Sequence, residues 1–221
     1  RSVGDFDQDQ TIRVLESKFC DFKRKKIEKE YLKTFRVNSG KQEIKEDTSQ
    51  VHLCYNTKGL SYHSKDKYIL TLLSNILGGN MSSRLFQKIR EDRGLAYSVY
   101  TYTSSYAEGG LFTAYSGTTK EQYQEVLEII ANEYKSIKNE GVSQEELDKG
   151  KNQILSSLIL GLETTRARMS RMAGSYLNYG EVKPIEEIME EIKAVRLEDI
   201  KRCANDIFDE KNYSITILGN I

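Results

Sequence analysis

The sequence predicts an α+β domain, an antiparallel sheet covered by helices, and three observations lead there. From Val51 onward, stretches of period-two alternation are few and short, while stretches with apolar residues three and four apart are long. The resulting order is strand, helix, helix, two strands, two long helices, a short helix, a helix and a strand. It lacks the regular strand–helix alternation of a doubly wound parallel sheet. With 221 residues, 38% hydrophobic and 30% charged, the chain suits one domain with a sizeable core, or one domain plus an appendage.

Val3 to Phe22 reads as the end of one element feeding a helix. Asp7 or Asp9 is placed to cap it, and Ile12, Leu15 and Phe19 recur at helical spacing. Residues 36–50 are polar with few apolar anchors and read as a linker. That leaves 1–35 as a separate piece in front and 51–221 as the main domain. Val51, Leu53 and Tyr55 alternate with His52 and Cys54, as in a half-buried strand. Asp66 to Leu77 places Ile69, Leu72, Leu73 and Ile76 on one helical side. Gly78 and Gly79 are expected to stop that helix through positive φ. A shorter helix is predicted from about Ser82 to Arg93, capped by its serines, with Leu85, Phe86 and Ile89 inward and Gly94 as its stop.

Ala96–Thr103 and Leu111–Ser116 read as the strands of an antiparallel hairpin. Thr118 with Glu121, and Ser143 with Glu146, have capping-box spacing ahead of two long helices. The second of these holds Leu147, Ile154, Leu155, Leu158 and Leu162, with Gly150 and Gly161 inside it. Pro184 suits the start of a short helix. Leu197–Phe208 offers the last helix and Ser214–Leu218 the last strand.

Composition argues against several function classes. Lys plus Arg and Asp plus Glu both number 33, so no global field gathers nucleic acid or anionic lipid. The basic run Lys23–Lys26 is followed at once by Glu28 and Glu30 and reads as a solvated face or linker. No apolar run approaches the ~20 residues of a membrane-spanning helix, and no secretory leader is visible. Nucleic acid and membrane are therefore not expected partners. The start at Arg1 is compatible with a processed product or a fragment. Cys20, Cys54 and Cys203 are too scattered for a disulfide framework and suit a reducing compartment. The cytoplasm is the expectation, with an organelle also compatible. His52 and His63 belong to no HExxH, HxxEH or CxxC pattern, so no self-contained zinc site is expected in this chain. Leu77-Gly-Gly-Asn80 has neither phosphate-loop spacing nor a preceding strand.

The stretch Met81 to Val99 carries the chemistry. Arg90 falls at a helix end and Tyr97 a few residues into the next strand. A switch of element across Gly94 can bring guanidinium and phenol into one cleft, where they offer fixed donors to a peptide carbonyl or a developing oxyanion. The structural alternative is an arginine paired with Glu91 or Asp92 and a tyrosine filling a strand position, as Tyr100 and Tyr102 do.

The run Ile76-Leu-Gly-Gly-Asn-Met-Ser-Ser-Arg-Leu-Phe86, continued by Ile89-Arg-Glu-Asp-Arg-Gly-Leu-Ala-Tyr97, is highly specific. It resembles the C-terminal domain of the zinc metallopeptidases that include mitochondrial processing peptidase, pitrilysin and insulin-degrading enzyme, in their shorter bacterial form. Gly109, Gly110, Phe112, Tyr115, Gly117, Glu145, Glu146, Leu147, Lys151 and Ile217-Leu-Gly219 extend the resemblance over nearly the whole chain. It implies one repeated half of a clam-shaped metalloendopeptidase. The other, N-terminal half carries the zinc in an inverted His-x-x-Glu-His motif. This half supplies an arginine and a tyrosine seven residues apart, as Arg90 and Tyr97 are, to hold the substrate peptide and its carbonyl oxygen. The resemblance also makes residues 1–35 the terminal strand and helix of the preceding domain. It makes the N-terminal half, or a homologous zinc-bearing subunit, the partner, in a homo- or heterodimer where one forms. The chain alone is then inactive. The other reading is a non-catalytic partner or scaffold subunit of a heteromeric relative.

Overall fold

The computed structural model describes residues 3–22 and 35–221. Helix α1 (Gln8–Phe19) begins where the Asp7 carboxylate accepts from the Gln10 amide at 2.9 Å. Residues 3–7 ahead of it form no strand, since a strand needs a ladder partner and they have none among the described residues. The Lys23–Lys26 run lies outside the described residues.

One five-stranded sheet organises the rest, built from β1 (Gly40–Lys45), β2 (Val51–Gly59), β3 (Ala96–Ser105), β4 (Gly110–Thr118) and β5 (Ser214–Gly219) in the order β1-β5-β2-β4-β3. The neighbours are antiparallel except for β1 with β5, which are parallel. β1 lies inside the stretch expected to be a linker. Five of its six residues are exposed, so an edge strand with little to bury shows no alternation to read. Central β2 does alternate. Val51, Leu53, Tyr55 and Thr57 are buried under helices, while His52, Cys54, Asn56 and Lys58 look out from an uncovered face.

The helices are α2 (Lys67–Gly78), α3 (Tyr123–Glu140), α4 (Gln144–Leu160), α5 (Thr165–Tyr179), α6 (Ile185–Ala194) and α7 (Leu197–Ile207). α2 packs on β3, α3 on β2 and β4, and α7 on β2, while α4 and α6 lean on α2. Val126, Ile130, Tyr134 and Ile137 of α3 and Ile200, Cys203, Ala204 and Ile207 of α7 meet the buried face of the sheet. The valine and isoleucines among them each contribute about 1.5–3 kcal/mol by leaving water. At the centre the Tyr134 ring stacks on Phe208 at 4.2 Å and meets Phe112 and Tyr55 edge-on, and its hydroxyl donates to the Tyr55 carbonyl at 3.3 Å. Burial holds that phenol well above its ordinary pKa, so it remains a donor.

Several local expectations are revised. Gly79 ends α2 with φ −84°, not a positive value. The glycines serve close approach instead: a Cβ on Gly78 would lie 2.7 Å from the Thr101 backbone nitrogen. Thr118 is no helix cap; it ends β4 and donates to the Leu95 carbonyl, and α3 starts later, at Tyr123. The Ser143–Glu146 capping box is formed. The second long helix is two helices. α4 stops at Leu160 before Gly161, and α5 restarts with the Thr164 hydroxyl accepting from the Ala167 amide. No described helix is long and apolar enough to cross a membrane.

Candidate functional site

Arg90 and Tyr97 sit on two backbone irregularities separated by a tight turn. The segment expected to be an ordinary helix from Ser82 is a six-residue π-helix, Phe86–Glu91, in which the Asp92 amide reaches back five residues to the Gln87 carbonyl at 2.9 Å. Single π-turns of this kind recur at functional positions. The approach to it is fixed by Asn80, whose side-chain oxygen accepts from the Ser82 amide at 2.7 Å and whose carbonyl accepts from the Ser83 hydroxyl at 2.5 Å. Asn80, not a serine side chain, therefore makes this turn. Leu85 and Ile89 are fully buried and fasten the segment to the core.

The exit is closed by Gly94, whose φ is +61°. The Gly94 amide donates to the Arg90 carbonyl at 3.1 Å and the Leu95 amide to the Ile89 carbonyl at 2.8 Å. Those bonds satisfy carbonyls that the helix end leaves open. β3 follows, and its register against β4 breaks between Ala96, opposite Thr118, and Ser98, opposite Gly117. Tyr97 is the extra residue of this bulge. Ala96 and Val99 remain buried, so the two residues between them turn outward together, and Tyr97 is 73% exposed. It shares that outward side with Tyr100 and Tyr102.

The two side chains meet. The Arg90 guanidinium carbon lies 5.0 Å from the centre of the Tyr97 ring and 4.9 Å from that of Phe86. Among the described residues Arg90 enters no ion pair; the neighbouring Arg93 takes Glu125 at 2.8 Å. The alternative of an arginine spent on Glu91 or Asp92 is thus not what the geometry shows. A guanidinium held by ring contacts keeps its in-plane N–H groups for acceptors, and carbonyl oxygens are the acceptors that suit it. Tyr97 adds a phenolic donor beside it. Neither the cleft of about 270 Å³ between Asn80 and Glu146 nor that of about 560 Å³ between Asp66 and Lys183 contains the pair, which lies at the β3 edge with Tyr97 exposed and Arg90 half-buried.

Other chemistry-bearing residues are employed structurally. His52 Nδ1 lies 2.8 Å from the Tyr115 hydroxyl, and His63 packs on Tyr62 and Tyr179. Burial raises the Cys54 thiol and pushes that of the buried Cys203 up to about 12, which disfavours the thiolate at both. Among the described residues no three His, Cys, Asp or Glu side chains converge to hold a metal ion, and zinc has no fitting donor set there. The aromatic patch Tyr100–Tyr102–Tyr115 on the open face, with ring centres 4.9 and 6.1 Å apart, escaped the sequence reading. Its signal was period-two tyrosines on a strand whose partner was not yet known.

Fold and site define a class: an α+β half-domain that presents hydrogen-bond donors and lacks a metal-holding cluster among its described residues. The chain belongs to the peptidase M16 family, and residues 2–154 match the module described as the peptidase M16 inactive domain. It is 43% identical over 175 residues to the uncharacterized zinc protease YmxG of Bacillus subtilis, a match covering 79% of this chain and 42% of that protein. It is 33% identical over 219 residues to an uncharacterized zinc protease of Rickettsia felis, covering 99% of this chain and 52% of that one. The chain therefore spans about half the length of these relatives. The fold matches a peptidase M16 inactive domain from Pseudomonas fluorescens with a TM-score of 0.86 at 20% identity, over 99% of this chain and 52% of that one. It also matches a chain of complex III2 from Candida albicans, with a TM-score of 0.83 at 19% identity, over 99% of this chain and 54% of that one.

Proposed function

We propose that this chain is the zinc-free half of a zinc-dependent metalloendopeptidase acting on peptides or unfolded segments. Its partner is an N-terminal half, or a homologous subunit, that carries the metal. Residues 1–35 belong with that preceding half and 51–221 form the substrate-binding domain. Within it Arg90 binds substrate carbonyls, and Tyr97 donates to the scissile carbonyl oxygen as charge develops there. The observation that carries this reading is the contact between the Arg90 guanidinium and the exposed Tyr97 ring, 5.0 Å apart, at a bulge on an edge strand. An extended peptide lying along the free edge of β3 would satisfy the open backbone groups there and meet both donors. The zinc-protease names of relatives about twice as long supply the reaction class.

The test uses the full-length parent protein and peptide cleavage with and without a zinc chelator, with the 221-residue chain as the blank. Chelator-sensitive cleavage by the parent alone is the expected result. Tyr97→Phe should then lower kcat/KM about a hundredfold, the size of one lost oxyanion donor. Arg90→Gln should raise KM, and bound zinc should be unchanged in both variants. No cleavage by the parent would overturn the reading and leave a non-catalytic partner subunit.

A further inference from the structure

We propose that Phe86 is a positioning residue that sets the orientation of Arg90, and through it the Arg90–Tyr97 pair; this rests on the substrate-binding role given to that pair above. Three facts converge on it. Phe86 opens the π-helix and packs against the main core cluster, so its ring is anchored. The Arg90 guanidinium carbon stands 4.9 Å from that ring and 5.0 Å from the Tyr97 ring. Among the described residues no ring–ring contact joins Phe86 to Tyr97, so the guanidinium itself bridges the anchored aromatic and the exposed one.

The consequence follows from what a long cationic side chain does when unrestrained. A half-buried arginine with no carboxylate partner still samples several rotamers, and each binding event must freeze them. A ring beneath the guanidinium removes part of that freedom in advance. It satisfies the face of the cation and leaves the N–H edges free, so the donors remain directed at in-plane acceptors. No carboxylate does this as well here, because a carboxylate would occupy the same N–H groups that the substrate carbonyl needs. The ring thus orients the arginine without consuming its hydrogen-bonding capacity. The surrounding scaffold is stiff enough for this to matter, because Arg84 and Lys88 of the same segment pair with Glu146 and Glu133 on α4 and α3.

The experiment is a double-mutant cycle in the full-length enzyme, with KM and kcat for peptide cleavage read separately. Phe86→Leu is expected to raise KM about fivefold, the scale of one cation–π contact, with kcat and bound zinc close to wild type. Phe86→Tyr, which keeps the ring, should restore the wild-type KM. In an Arg90→Gln background Phe86→Leu should have no further effect. A merely structural Phe86 would instead cost the same factor in both backgrounds. Phe86→Met replaces the leucine variant if that one unfolds. Wild-type KM in a folded Phe86→Leu or Phe86→Met enzyme, or equal loss with and without Arg90, would overturn the proposal. If Arg90→Gln itself left KM and kcat untouched, the underlying reading would fall, and this one with it.

Discussion

At Gly94 and Gly78 the same residue type is required for opposite reasons. Gly94 has φ +61° and nothing within 4 Å of where a Cβ would stand, so an alanine there meets only backbone strain. Gly94→Ala should cost about 1 kcal/mol, and Gly94→Asn less, since asparagine tolerates the left-handed region. Gly78 has ordinary dihedrals but no room: its Cβ would lie 2.7 Å from the Thr101 nitrogen, where Ser74 and Thr101 already bond at 3.1 Å. Gly78→Ala should push α2 from β3 and cost about 2–3 kcal/mol, within the range for overpacking. Urea midpoints of the two variants check the order, and an equal cost would contradict this account. Both positions were legible as helix stops, but positive φ was expected at Gly78 and Gly79, where close approach is the actual demand, because that demand depends on a strand that follows much later. In the same way Arg90 and Tyr97 were legible from spacing and family resemblance. Their contact through ring faces was not, because it needs the bulge.

Among elements, residues 84–91, which include the π-helix, are tied to α3 and α4 by ion pairs. Arg84 grips Glu146 through two bonds of 2.5 and 2.8 Å, lies 3.7 Å from Glu133, and is only 19% exposed. Lys88 pairs with the same Glu133 but is 51% exposed. Lys88→Met, which strands the Glu133 carboxylate, itself only 4% exposed, should therefore cost about 3 kcal/mol, whereas Arg84→Met, which strands the 30% exposed Glu146, should cost about 2 kcal/mol; thermal unfolding of both variants decides. Acid should undo the same tie. Burial raises the Glu146 carboxyl, but bonds from Arg84 and the Ser143 amide outweigh it and hold the pKa below the ordinary 4.5. The stabilisation is then complete above pH 4.5 and is lost as pH falls through the lower folded value. Below pH 4.5 the wild-type Tm should fall more steeply than that of Glu146→Gln. Elements with a buried stripe, such as α2, α3 and α7, were readable because burial imposes periodicity. α5 buries no residue and β1 is almost wholly exposed, so neither leaves that imprint. The π-turn and the bulge each hinge on one extra residue, which periodicity over a window averages away.

At the scale of the whole molecule, the chain spans about half of its relatives' length. Ile12, Leu15 and Phe19 line one side of α1 at helical spacing, yet they are 42, 49 and 62% exposed, and the helix buries no residue. An amphipathic helix earns its stability from packing its apolar stripe. On the domain division proposed above, that stripe packs against the preceding half in the parent protein. The paired substitution Leu15→Gln and Phe19→Gln separates the cases, because glutamine is a good helix former and changes little else. In the 221-residue chain both side chains already face solvent, so the shift should stay within about 0.5 kcal/mol. In the full-length protein the same pair should cost about 3 kcal/mol, the burial of two large apolar side chains. Denaturant unfolding of both forms makes the comparison. Equal, small shifts in the two would place α1 on the surface of the parent as well, and the boundary between the halves would have to be drawn elsewhere.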